Sequence, residues 1–373
     1  GAGDERGMKR SVALTYLLSA GIAFVLTVAS LIALHPLMAS LKTPPEIIGD
    51  TEKYMRVIML FSAVTIAYNM FAGMMRALGN SKTPLYFLIV STFVNIGLDF
   101  LFVGAFKMGV AGAAYATVIS QGVSVALCIW YVVKKCRVLL FSRRELTLDK
   151  PLLSDLATTG MSMGLMYAIV SVGSVILQGA VNSFGTSTIT AHTAARKIDD
   201  IFMLPLGTIA LASSTFASQN FGAGKMDRVK KGIKYSIFIA LGWSAFSVIV
   251  AVLFRRPMIR ALTGTSDPAV IATASKYIVW NISFFFVLSF LLVLRSSLQG
   301  VGRKLVPVTG SAVEFALKIV AAAVFAPKLG YFGICISEPV IWIAFAAIVI
   351  ADYMLFTRRI KRRELPHLER AAV

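Results

Sequence analysis

Residues 222–231 read GAGKMDRVKK, and residues 1–10 read GAGDERGMKR. Each copy opens on Gly-Ala-Gly and closes on a basic pair. Each is followed by one apolar span, a polar stretch and then a tyrosine, Tyr54 or Tyr277. Further on, ALGNSKTP (77–84) corresponds to QGVGRKLVP (299–307), with Gly79 against Gly302 and Pro84 against Pro307. MGVAG (108–112) corresponds to LGYFG (329–333), and the offset stays between 221 and 223 throughout. A steady offset with glycines and prolines in register marks an internal repeat covering four spans.

The repeat is written in membrane composition. Hydrophobic residues make up 57% of the 373 and charged residues only 15%. That balance excludes an ordinary soluble domain. The net charge of +19 falls in short clusters between apolar stretches, as topology charges do, which argues against a nucleic-acid partner and for a lipid bilayer. The three cysteines are scattered, so neither a disulfide framework nor a metal site is implied. No Walker motif or nucleophile constellation is present, so nothing points to an enzyme, to ATP-driven pumping or to a bound cofactor.

A bilayer core of ~30 Å needs about 20 mostly apolar residues as helix. Ten segments meet this: 11–34, 55–76, 84–106, 110–133, 157–181, 188–217, 233–254, 277–300, 305–326 and 331–356. They are too long for barrel strands, and their backbone groups must be satisfied internally, so they are read as helices. With residues 1–10 placed in the cytoplasm, the loops on that side hold 24 Lys and Arg and the opposite loops hold 8. Both ends of the chain are therefore expected to be cytoplasmic. Arg255, Arg256 and Arg260 are the dissenting cluster.

The expected fold is an all-α polytopic membrane protein with two pseudo-symmetric lobes, a parallel repeat around a central cavity. The expected divisions are a partial first lobe (1–136), a cytoplasmic linker (137–156), a second lobe (157–357) and a basic cytoplasmic tail (358–373). The second half carries two spans, 157–181 and 188–217, before its Gly-Ala-Gly, and the first half carries none. Ten spans of an expected twelve follow from this, with two helices expected ahead of Gly1.

MRALGNSKTP (75–84), NIGLDFLFV (95–103) and MGVAGAAYATVIS (108–120) resemble the first lobe of the multidrug and toxic compound extrusion (MATE) transporters. AARKIDDIFMLPLG (194–207), STFASQNFGAGKMDRVKKG (214–232) and LGYFGICISEPVIW (329–342) resemble the second. The resemblance implies twelve helices in two six-helix lobes. It also implies Na⁺- or H⁺-coupled antiport of cationic amphipathic small molecules across the bacterial inner membrane. A monomer is the default expectation.

An ionisable residue inside a span is a pathway hypothesis. Asp99 lies mid-span with Asn95 four residues earlier on the same helical face. No Lys or Arg lies within a turn, so Asp99 is free to take a proton or, with neutral oxygens, to hold Na⁺. Thr117, on the next helix, offers a hydroxyl. The likeness is to the bacterial branch that carries a carboxylate site in its first lobe; in that branch the positions matching Asn95, Asp99 and Thr117 form the first-lobe cation site, with a further aspartate on the first helix.

In the second half the counterparts of Asp99 are the apolar Val320, Ala321 and Ala322. Glu314 and Lys318 are spaced to neutralise each other. The unpaired acid is accordingly expected in the first lobe alone. His192, Arg196 and Asp200 stand at i, i+4 and i+8, most simply a self-neutralised, solvated stripe and otherwise part of a substrate pathway. Glu338, before Pro339, either lines a cavity or satisfies a carbonyl freed by that proline. A lipid-linked oligosaccharide flippase is the alternative function, with Arg196, Lys197, Arg295 and Lys318 expected to meet a diphosphate. A second alternative is a non-transporting fragment.

Overall fold

The structure, a computed structural model, describes residues 2–40, 45–141, 149–303 and 305–371. Gly1, Lys42, Lys304, linker residues 142–148 and residues 372–373 lie outside the described residues, as do the side chains of the tail from 359 onward.

The described chain is helical, with no strand among the described residues. It divides into two compact units, Gly3–Ala157 and Thr158–Val373 together with Gly1–Ala2. The first unit holds α1 (Glu5–Ser40), α2 (Pro45–Leu60), α3 (Ser62–Ala77), α4 (Lys82–Asp99) and α5 (Gly109–Lys135). A π-helical segment, Phe100–Ala105, extends α4, and a short 3₁₀ turn, Arg137–Leu139, follows α5. Helix α6 (Lys150–Asn182) leads into the second unit, which continues with α7 (Thr186–Gly222), α8 (Met226–Thr263), α9 (Pro268–Ser283) and α10 (Phe285–Gly300). It ends with α11 (Leu305–Val320), a π-helical segment Ala321–Phe325, α12 (Ala326–Leu329) and α13 (Tyr331–Ala371). Because α6 begins at Lys150, the final residues of the expected linker are helix.

Eight helices are long and apolar enough to cross a membrane. The expected spans 55–76 and 277–300 are each two helices bent at a single residue, α2–α3 by 46° at Phe61 and α9–α10 by 50° at Phe284, and counting each pair once gives ten spans. Side chains such as Phe24, Ile32, Phe93 and Phe100 point outward. Such large apolar groups are costly against water and at home against lipid.

The repeat read in the sequence is present in the backbone. Phe61 and Phe284, the bend residues, are 223 positions apart and have nearly the same conformation, φ −102°, ψ 17° and φ −91°, ψ 6°. The π segments start at Phe100 and Ala321, 221 apart. Gly3, Gly79 and Gly109 have positive φ (75°, 87° and 59°), and so do Gly224, Gly302 and Gly330 (69°, 86° and 61°). A side chain at such φ is strained, which is why glycine recurs in register. Gly112 and Gly333 form a further pair. A Cβ on Gly112 would lie 3.1 Å from Phe102 Cβ, and one on Gly333 would lie 2.3 Å from the Phe325 carbonyl oxygen. In each unit the next long helix, α5 or α13, packs a glycine directly against the π segment.

Candidate functional site

In the first unit, α4 and α5 pack antiparallel in a register set by two hydroxyls. Ser91 Oγ donates to the Ser120 carbonyl (2.6 Å) and Ser124 Oγ to the Phe87 carbonyl (3.3 Å). Pairs 91/120 and 87/124 extrapolate to 95/116 and 99/112. Thr117 therefore lies level with Asn95, about a turn from Asp99. Its hydroxyl donates to the Ala113 carbonyl (2.9 Å), which leaves the oxygen's lone pairs free to accept.

Asn95 Nδ2 and Asp99 Oδ1 are both buried and have no hydrogen-bond partner among the described residues. No ion pair is formed by Asp99 among those residues either. Asp99 is the last residue of α4, immediately before the π segment. Single π turns of this kind open the helix and recur at functional positions.

The second unit carries its charge differently. Lys318 Nζ is 2.9 Å from Glu314 Oε1, so the pair expected from the i, i+4 spacing is formed. The same ammonium lies 3.8 Å from Glu338 Oε1 and donates to Ser174 Oγ at 3.1 Å. Arg196 lies 3.7 Å from Glu338 Oε1 and 3.8 Å from Asp200, and donates to the Tyr277 hydroxyl at 3.3 Å. Glu338 thus joins α7 to α11 across the start of α13. His192 Nδ1 lies 3.1 Å from the Tyr331 hydroxyl, with its ring edge-on to Tyr277 at 4.9 Å.

Two expectations are corrected here. His192, Arg196 and Asp200 are not a solvated stripe. His192 is 3% exposed and Arg196 reaches inward to the buried Tyr277 and Glu338; Asp200 alone stays at the exposed edge. The unpaired acid is also not confined to the first lobe. Asp199 is fully buried, and neither of its carboxyl oxygens has a hydrogen-bond partner among the described residues. It stands at i+3 from Arg196 and i+7 from His192. A helical-wheel reading starting at His192 would have found it, but the adjacent Asp200 fitted the i+8 spacing instead.

A cavity of about 180 Å³ is lined by Arg196, Arg295, Lys318, Asp200, Glu314 and Glu338, among others. A neighbouring one of about 270 Å³ shares Arg196, Glu338 and Ser174 and adds His192, Lys197 and Tyr277. Of the two roles considered for Glu338, the geometry shows it lining these cavities. A third cavity, about 320 Å³, shares Met166, Tyr167, Leu292 and Arg295 with the first and adds hydroxyls, Met163, Gln299 and small or aliphatic residues. Among the described residues no three His, Cys, Asp or Glu side chains gather as metal ligands.

The MatE family model matches residues 1–101 and 163–324. The chain is 27% identical over 335 residues to a probable multidrug resistance protein of Bacillus subtilis, YpnP, which covers 90% of this chain and 74% of the relative. It is 31% identical over 246 residues to a second, YoeA, covering 64% of this chain and 53% of the relative. The fold matches a solved outward-facing structure of a multidrug resistance MATE family transporter of the MOP superfamily, with a TM-score of 0.86 and 19% identity over 95% of this chain and 84% of that one. The two matched stretches run through both units and include Asp99, Asn95 and the Glu314–Lys318 pair, and on that ground the chain belongs to the MatE family.

Proposed function

We propose that the chain forms the membrane body of a secondary multidrug exporter, in which Na⁺ or H⁺ taken up at Asp99 drives expulsion of organic cations by alternating access. One observation carries this reading. Asp99 Oδ1 and Asn95 Nδ2 are buried on one face of α4 without partners. A lone carboxyl so placed gains most from an arriving cation, because none of the described residues pairs with it. Differential binding of ion and drug to two states of the protein then couples their movements. The printed names of YpnP and YoeA support multidrug export as the class. The family resemblance supports placement in the inner membrane, and the loop charges support both ends of the chain being cytoplasmic.

The test is drug efflux driven by an imposed ion gradient, with the full-length transporter in vesicles. Asp99→Asn should reduce gradient-driven efflux to the level of empty vesicles while membrane insertion is unchanged. Efflux at the wild-type rate from Asp99→Asn would overturn the assignment.

The flippase alternative gains one observation. Arg196, Arg295 and Lys318 line one cavity, and Lys197 lines its neighbour. Asp200, Glu314 and Glu338 line the same space and pair with Arg196 and Lys318, so a diphosphate would meet two cations already matched by carboxylates, while Arg295 forms no ion pair among the described residues. Export remains the better-supported function.

A further inference from the structure

Arg255, Arg256 and Arg260 run against the charge bias of the loops, and the structure places them at one end of α8. The basic stretch Lys225–Lys234, which caps and begins the helix, stands at the other end. The arginines border a cavity of about 380 Å³ closed by Ser266, Pro268 and Ser275 at the start of α9. A second space of about 400 Å³ shares Arg255, Ala272 and Ser275 with it and adds Lys276 and Trp280.

Four cations thus converge from two helices. Among the described residues none of the four pairs with a carboxylate. Arg255 donates to the carbonyl of Val252 in its own helix, and Lys276 lies 4.7 Å from the centre of the Phe332 ring. Asp267, beside the cavity, is engaged as the cap of α9 and accepts from the Ala269 amide at 2.9 Å. The Ser275 hydroxyl is buried and has no partner among the described residues. A buried donor without an acceptor and four cations that pair with no carboxylate among the described residues both ask for an anion.

The face of α8 leading to this cavity names the source of that anion. Phe246, Ile249, Leu253, Arg256 and Arg260 recur at spacings of three and four, so they form one stripe, and all five are exposed. The stripe is apolar for three positions and then cationic for two. Phe246 lies about 15 Å from Arg256 along the helix axis, at 1.5 Å per residue. That is half of the ~30 Å hydrocarbon core, the depth of one leaflet. A free phosphate would have no use for the apolar half of the stripe; a lipid uses both halves.

We propose that the α8–α9 end of the second unit binds an anionic phospholipid, its phosphate held by Arg255, Arg256, Arg260 and Lys276 and its acyl chain along Phe246, Ile249 and Leu253. The site accounts for basic residues at the end of α8 where the topology bias disfavours them.

The experiment uses the full-length transporter purified in detergent. Native mass spectrometry would follow retention of phosphatidylglycerol against phosphatidylcholine, and a photoactivatable phosphatidylglycerol would map the contact. The wild type should retain phosphatidylglycerol selectively and carry the photolabel on peptides within 246–280. Each arginine changed to glutamine at 255, 256 and 260 should lower phosphatidylglycerol retention about fivefold. Arg228→Gln, Lys230→Gln and Lys231→Gln together, at the other end of α8, should leave the photolabel in place. Photolabel confined to other peptides of the wild-type protein would overturn the site whether or not the variants fold. Displacement of the lipid by millimolar inorganic phosphate would mark a free-anion site and overturn the lipid assignment.

Discussion

At the residue before each π segment the two units part company. In the first that residue is Asp99; in the second it is Val320. The surrounding backbone is the same device twice, with a bend at Phe61 or Phe284, a glycine turn at Gly79 or Gly302, and a glycine against the π segment at Gly112 or Gly333. The first unit sets an acid there without a cation. The second moves its charge onto Glu314 and Lys318 and ties it to Glu338 and Arg196. An acid already compensated by protein has little left to offer an ion, while an uncompensated one must find its partner elsewhere. One scaffold therefore holds a carboxyl without an ion pair among the described residues in one copy and a charge network in the other. Asp199, buried beside that network with no hydrogen-bond partner among the described residues, is an acid of the second unit that does not follow this division.

The largest effect expected of this contrast is on stability. Lys318→Met strips the cation from Glu314 and Glu338 and should cost about 3–5 kcal/mol, read as a lower melting temperature of the purified protein. Adding Glu314→Gln should restore most of the loss. Asp99→Asn, which on the proposed function removes the ion response, should stay within ~1 kcal/mol of the wild type in the same melt. A large loss of stability from Asp99→Asn would mean that the first unit also holds a structural charge, and the contrast would fail.

A smaller effect tests the glycines against the π segments. Alanine at either position overpacks by about 1–3 kcal/mol. Gly333→Ala should lie at the upper end, because its Cβ meets the rigid Phe325 carbonyl, whereas Gly112→Ala meets Met108 Cβ at 2.9 Å and Phe102 Cβ at 3.1 Å. Chemical denaturation of the two variants in detergent ranks them, and the reverse order would show that the π segments are not equivalent. The smallest effect is at the turns. Gly79→Ala and Gly302→Ala should each cost about 1–2 kcal/mol. Their φ values of 87° and 86° predict equal losses in the same denaturation series, so a clear inequality would break the repeat at that point.

Much of this architecture is legible in the sequence because it rests on local rules. Ten apolar runs give ten spans, since lipid leaves the backbone no other partner than its own helix. Gly79 and Gly302 are readable because positive φ selects glycine. The Glu314–Lys318 pair is readable because four residues make one turn. The bends at Phe61 and Phe284 are not readable, since neither proline nor glycine marks them. The π segments FLFVGA and AAAVF share no sequence cue that would set them apart from ordinary helix.

The sequence by itself thus determined the membrane class, the repeat and the first-lobe acid, all of which follow from composition, spacing and the cost of a charge in a span. Only the tertiary structure decided how the second unit's charges are matched. Arg196, Tyr277, Lys318 and Glu338 are far apart along the chain and meet because α7, α9, α11 and α13 pack side by side. Whether a buried acid is compensated depends on what lies within a few ångströms across a helix boundary, and no local pattern encodes that distance.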